Sequence, residues 1–139
     1  VANLKLTILA PERRLAEGVE VEEVTINGSE GQIQLLPGHA PMIGTLEAGM
    51  FSFKHPGGSL TSGVISGGFF EIAKDEVTVT ADSLELVGEI DLMRAKQAQQ
   101  EAEQVLREAD LDEHKFKEYQ AQLEHALVLQ QAATNHTLH

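Results

Sequence analysis

Glycine and proline stop abruptly partway along this chain. All 12 glycines and all 4 prolines lie at or before Gly88, and the residues beyond it are rich in Ala, Gln, Glu and Leu. Glycine admits positive φ, while proline fixes φ and removes a backbone donor, so both punctuate turns and interrupt helices. A chain that uses them freely and then abandons them is made of two differently folded pieces. The expected division is a strand-and-turn domain over residues 1–87 and a helical one over residues 88–139.

Within the first piece, short runs of β-type residues are separated by turn formers: Leu4 to Leu9, Val19 to Ile26, Gly31 to Leu36, Phe51 to Lys54, Leu60 to Ile65, Phe69 to Ala73 and Val77 to Ala81. Val77, Val79 and Ala81 alternate with Thr78 and Thr80, as in a strand with one wet face. The alternation slips between Val21 and Val24, where Glu22 and Glu23 predict a bulge. His55-Pro56-Gly57-Gly58 and Lys74-Asp75 are turn sequences between strand-like runs. This rhythm predicts an antiparallel β-sandwich.

The second piece reads as helix. Asp91 is placed to cap a helix from about Asp91 to Ala109, in which Ala95, Ala98, Ala102, Val105 and Ala109 recur at spacings of three and four. Asp110-Leu111-Asp112 offers a turn and a second cap, followed by a stripe of Phe116, Tyr119, Leu123, Ala126 and Leu127. So short a connection predicts an antiparallel two-helix hairpin. Glu103 with Arg107 and Glu113 with Lys117 stand four apart in the favourable order for ion pairs. The fold class expected is therefore α+β, an N-terminal antiparallel β-sandwich followed by a C-terminal antiparallel two-helix hairpin.

An alanine seam lets helix axes approach closely but holds them weakly. Each buried methyl is worth about 0.8 kcal/mol, against roughly 1.5–3 kcal/mol for a buried leucine. Two helices of about 20 residues are marginal by themselves, so whatever they rest against decides their conformation. A detachable hairpin and a permanently docked one are both compatible with this pattern.

Composition narrows the function. With 42% hydrophobic residues among 139, the chain can bury a core. A formal charge of −12 offers no basic face for a phosphate backbone, which argues against nucleic acid and anionic lipid as ligands and favours a neutral or basic protein partner. Without cysteine there is no disulfide, thiolate nucleophile or cysteine metal site. No apolar run approaches the roughly 20 residues of a membrane span, and the amino terminus lacks a signal-peptide pattern, so membrane association is expected to be indirect. No phosphate-cradling loop, nucleophile elbow or helical histidine pair is present, and His136 and His139 near the chain end lack a carboxylate neighbour. Catalysis and metal binding are not expected.

The most distinctive stretch is Gly28-Ser29-Glu30-Gly31-Gln32 followed by Leu36-Pro37-Gly38-His39-Ala40-Pro41. Two prolines and a glycine present His39 from a stiff turn. By itself this is a tight strand connection, and an enzymatic base at His39 would need a carboxylate or nucleophile that the sequence does not supply. Ser66-Gly67-Gly68 reads plainly as a glycine bulge where another backbone comes close.

Taken in order, Gly28-Ser29-Glu30-Gly31, Pro37-Gly38-His39-Ala40-Pro41, Glu47-Ala48-Gly49, Ser66-Gly67-Gly68 and Ile90-Asp91-Leu92-Met93-Arg94-Ala95 resemble the successive landmarks of the epsilon subunits of F-type ATP synthases, over essentially the whole chain. The resemblance implies a non-catalytic central-stalk subunit that couples proton-driven rotation to ATP synthesis and restrains ATP hydrolysis through its C-terminal helices. It implies a sandwich clamped to the gamma subunit and seated on the c-ring, with Glu30, Gln32 and His39 on the c-ring side and Ser66, Gly67 and Gly68 on the gamma side. The helical arm is then expected to extend toward the alpha and beta catalytic subunits, and the location to be peripheral, on the cytoplasmic face of a bacterial membrane.

Two departures from the family pattern matter. Where members often carry an acidic residue, an apolar one and a glycine after the second glycine, this chain has Gln32-Ile33-Gln34, and a neutral Gln cannot make the charge-assisted bond of a carboxylate. Some bacterial relatives sense ATP through a motif like Ile90, Asp91, Arg94 and Ala95, helped by further arginines. Here Glu124 and Val128 stand where cations are needed, no Lys or Arg follows Lys117, and acids outnumber bases by five from Gly88 onward. A polyanion is repelled by such a surface. No cofactor is expected, ATP being the one regulatory ligand the resemblance raises and a free-standing ATP-sensing module the alternative function.

Overall fold

The computed structural model describes residues 3–138, with side chains for residues 3–134. The chain divides into two compact units, Val1–Leu86 and Val87–His139. The first carries ten strands: β1 (Leu4–Ala10), β2 (Arg13–Val21), β3 (Glu23–Gly28), β4 (Gly31–Leu35), β5 (Met42–Leu46), β6 (Gly49–Lys54), β7 (Leu60–Ile65), β8 (Gly68–Ala73), β9 (Glu76–Ala81) and β10 (Leu84–Leu86). They pair in the order β10-β7-β6-β3-β5-β8-β9-β1-β2, with β4 on β3.

This continuous run folds over on itself so that inward side chains from both layers form one apolar cluster. Leu4, Leu6, Val24, Leu35, Ile65 and Ile72 are each fully shielded from solvent within it. Every fully buried residue among those described is apolar, so strand pairing alone answers for the polar backbone inside. The alternation that marked Val77, Val79 and Ala81 as inward holds throughout β9.

The turns follow their sequences. Lys74 and Asp75, at φ 51° and 61°, close the β8–β9 hairpin between Ala73 and Glu76, the two-residue turn whose twist suits paired strands. His55-Pro56-Gly57-Gly58 closes β6–β7, where the His55 N–H donates to the Ser59 carbonyl at 2.8 Å.

Several expectations need correcting. Ten strands form, more than the runs named from the sequence: Arg13–Val21 is a strand through its length, and Met42–Leu46 and Leu84–Leu86 were hidden, one by Gly44 and its bracketing Pro41, the other by being three residues long. The run from Val19 to Ile26 is not one bulged strand. At Glu22 the chain leaves β2, which pairs with β1, and enters β3, which pairs with β4, β5 and β6. Glu22 is anchored at this crossing by donation of its N–H to the Lys54 carbonyl at 2.7 Å and by the Lys54 ammonium 3.7 Å from its carboxylate. Nor is the sandwich wholly antiparallel, because β1 pairs in parallel with β9, Lys5 opposite Glu76 through Leu9 opposite Thr80.

In the second unit a 3-10 turn, Val87–Glu89, precedes α1 (Leu92–Glu108) and α2 (Glu113–Leu138). Both predicted caps form. Asp91 accepts from the Arg94 N–H at 3.2 Å and Asp112 from the Lys115 N–H at 2.8 Å, each satisfying a donor that a helix start leaves open. The seam is narrower than predicted. Ala95 and Ala102 are buried, but Ala98 and Ala109 are exposed, because a strict run of threes and fours drifts around the helix. On α2, Ala126, Leu129 and Ala132 are buried while Phe116 and Leu127 stay largely exposed. Of the two predicted ion pairs, Lys117 to Glu113 forms at 3.3 Å, whereas Glu103 accepts from Gln99 Nε2 at 2.9 Å instead of turning to Arg107.

Candidate partner-binding site

The turn Gly28-Ser29-Glu30-Gly31 joins β3 to β4, with Gly28 opposite Gly31 and Gly31 at φ 124°, a backbone state open to glycine. Beside it runs β5, tied to the turn by donation from the Ser29 N–H to the Thr45 carbonyl at 3.3 Å. Between them lies a cleft of about 430 Å³ whose lining includes Glu30, Gln32, Met42, Ile43 and Phe70. Gly44 forms its floor, so close under the Phe70 ring that a Cβ there would stand 2.7 Å from Cε1.

The structure thus brings Glu30 and Gln32, both exposed, to one opening. It does not bring His39 there. His39 sits half-buried in the connection from β4 to β5 with Nδ1 2.7 Å from the carbonyl oxygen of Ala40. The stiffness expected of this connection has a specific cause beyond proline: the Gly38 N–H donates to Asp75 Oδ1 at 2.8 Å, pinning it to the β8–β9 turn.

Ser66, Gly67 and Gly68 connect β7 to β8, and their structural neighbours lie within the sandwich. The Ser66 N–H donates to the Ser83 carbonyl at 3.3 Å, Ser83 Oγ to Ser66 Oγ at 2.7 Å, and the Asp82 N–H to the Gly67 carbonyl at 2.9 Å. Gly67 is buried, and a side-chain carbon on Gly68 would land on the Thr80 carbonyl oxygen.

Next to this connection is a feature that sequence reasoning missed. Thr45 pairs with Phe69 and Ile43 with Glu71 across β5 and β8, which sets Ile43 and Phe69 as diagonal neighbours on the outward face. They are 75% and 61% exposed. The signal was legible: consecutive strand residues point to opposite faces, so Phe69-Phe70 had to place one aromatic ring outside. Phe70, at 2%, is the one inside. Large exposed apolar side chains side by side, rather than scattered singly, make this face a candidate contact surface.

The third candidate set is occupied by helix building. Asp91 caps α1, Ala95 is 3% exposed and donates its N–H to the Asp91 carbonyl, and the Ile90 N–H donates to Val87. Arg94 is exposed and has no ion pair among the described residues. Among the described residues no group of three metal-ligating side chains occurs, and no helix is long and apolar enough to cross a membrane. His136 and His139 lie outside the described side chains.

Comparison with known proteins matches residues 3–87 to the model of the ATP synthase delta/epsilon chain β-sandwich domain. The ATP synthase epsilon chain of Geotalea daltonii is 37% identical over 131 residues, covering 94% of each chain. That of Geobacter metallireducens is 36% identical over 135 residues, covering 97% of this chain and 96% of the relative. Among solved structures, a chain of the mitochondrial ATP synthase of Euglena gracilis superposes with a TM-score of 0.83 at 26% identity, covering 95% of this chain and 82% of that one. A chain of the central stalk and c-ring of the Tetrahymena thermophila mitochondrial enzyme shares the fold, with a TM-score of 0.62 at 13% identity.

Proposed function

Because the chain belongs to the ATP synthase epsilon chain family, we propose that it is a non-catalytic central-stalk subunit whose sandwich fastens the gamma subunit to the c-ring. The observation that carries this reading is the exposed pair Ile43 and Phe69 beside the cleft holding Glu30 and Gln32. An apolar patch next to a carboxylate suits two protein contacts at once. The patch gains from burial against an apolar stalk surface, and Glu30 offers a charge-assisted bond to a cationic group on a ring loop. Gln32 adds a neutral hydrogen bond, and His39 shapes the connection behind them. Ser66, Gly67 and Gly68 act on the gamma side by holding β8, and with it Phe69, in place.

The helical unit is the regulatory arm. Extended toward the alpha and beta subunits, it opposes ATP hydrolysis through Lys115 and Lys117, a small cationic set of which Lys117 is shared with Glu113. That predicts weak restraint. The complex holds the subunit at the membrane as a peripheral protein, on the cytoplasmic face in a bacterium, with no insertion of its own. ATP sensing draws no support from Asp91, whose side chain serves the helix cap, or from an acid-rich second unit.

The test is retention on a tagged gamma subunit and c-ring. Changing Ile43 and Phe69 together to Glu is expected to abolish retention while leaving the unfolding midpoint within a few degrees, since both side chains are already largely in solvent. Retention of the folded double variant at wild-type levels would overturn the assignment of this face.

A further inference from the structure

The seam between α1 and α2 carries a hydrogen bond between side chains of the two helices, beside the buried Ala95, Ala102, Ala126, Leu129 and Ala132. Gln130 Nε2 donates to Gln99 Oε1 across the helices at 2.6 Å and reaches the Ala126 carbonyl at 3.4 Å. Gln99 Nε2 in turn donates to Glu103 Oε1 at 2.9 Å. All three side chains are half-buried. The result is a directional chain, Gln130 to Gln99 to Glu103, that ends on a carboxylate, and the charged acceptor strengthens the bond it receives.

The rest of the seam sets register poorly. Of its buried residues, Ala95 and Ala102 on one side and Ala126 and Ala132 on the other present only methyls, so Leu129 alone resists a slip by its shape and neighbouring registers stay close in energy. The amides break that degeneracy. A slip toward the start of α1 sets Gln130 against the methyl of Ala95, and a slip the other way leaves Gln99 without its partner across the seam. Either loses a hydrogen bond in a half-buried place, which costs more than a bond between amides gains over water. A single polar residue in an apolar helix seam fixes register on the same grounds.

We infer that Gln99, Gln130 and Glu103 form a register clasp, one that selects a single pairing of the two helices while adding little to the strength of their closure. When the hairpin opens, both amides and the carboxylate are taken up by water, so the clasp does not oppose opening as leucines in the same places would. It deepens the reading of this unit as a movable arm and rests on that reading only for the arm's role.

The test uses hydrogen exchange and amide NMR on the full isolated chain. Replacing both glutamines, Gln99→Leu with Gln130→Leu, is expected to slow exchange of the α1 and α2 amides at least about tenfold while splitting their resonances into more than one set, as tighter closure comes with lost register. Gln99→Ala alone, which strands Gln130, is expected to speed exchange about threefold to tenfold. Unchanged exchange with a single set of resonances in the double variant would overturn the clasp, as would faster exchange there than in Gln99→Ala. Restraint of hydrolysis is read separately on the assembled complex, so failure there refutes the arm's role and leaves the clasp standing.

Discussion

The contact at Gly68 lets a backbone argument be separated into two measurable parts. Gly68 opens β8 at φ 141°, and a Cβ there would collide with the Thr80 carbonyl oxygen and stand 2.9 Å from the Ala81 Cα, both backbone atoms of the paired strand β9. Gly31 is the control. It has a comparable φ of 124°, but a Cβ there would meet nothing within 4 Å. Gly31→Ala therefore carries conformational strain alone, of order 1–3 kcal/mol. Gly68→Ala carries similar strain plus the cost of forcing packed strands apart, about 1–3 kcal/mol more. For a unit the size of the sandwich, each kcal/mol moves the midpoint by about 4–8 °C, so Gly68→Ala is expected to melt roughly 5–20 °C below Gly31→Ala. Differential scanning calorimetry on the two purified variants measures this directly. Midpoints agreeing within about 2 °C would show that β9 yields freely, and that the close approach is not what reserves the position for glycine.

Asp91→Ala is expected to lose about 1 kcal/mol of α1 stability through the missing N-cap, seen as faster exchange of amides in its first turn, with Asp91→Asn retaining most of the protection. His125 Nδ1 is buried without a hydrogen-bond partner among the described residues, so His125→Leu, which removes an unmet polar group, should raise the helical unit's resistance to denaturant by about 1 kcal/mol; a loss of that size would show that the nitrogen is satisfied in solution. Ile72→Ala, at a fully buried site facing the core, should cost about 2–5 kcal/mol of sandwich stability in urea titration.

Much of the architecture was legible because glycine, proline and period-two alternation act locally. The Lys74-Asp75 turn, the alternation of Val77 to Ala81 and the caps at Asp91 and Asp112 each depend on a few neighbouring residues, and each formed. What was hidden depends on partners remote in sequence. Nothing near Leu4 announces a parallel neighbour at Glu76, and nothing near Glu22 announces that Lys54 anchors the passage between layers. The same limit governed the candidate surface: Glu30 and Gln32 stood out through their turn, while Ile43 became visible only once β5 was paired with β8. On α1, spacing alone could not show that Ala98 faces water and Gln99 the seam, since the two positions differ by one residue.

The parallel pairing of β1 with β9 bears on how the protein is made. β1 leaves the ribosome ahead of β9, so one of its edges has no partner until the stretch Glu76 to Thr80 has emerged. During that interval the strand is paired on one side only, with β2. Closing a contact so distant along the chain carries a large loop entropy and sets a slow step, and an unpaired apolar edge invites association between nascent chains. The sandwich therefore closes as a unit only after β9 has been synthesised, by which point the helices are the next segments to appear. Translation thus delivers the helices behind a sandwich that has just become able to hold its shape.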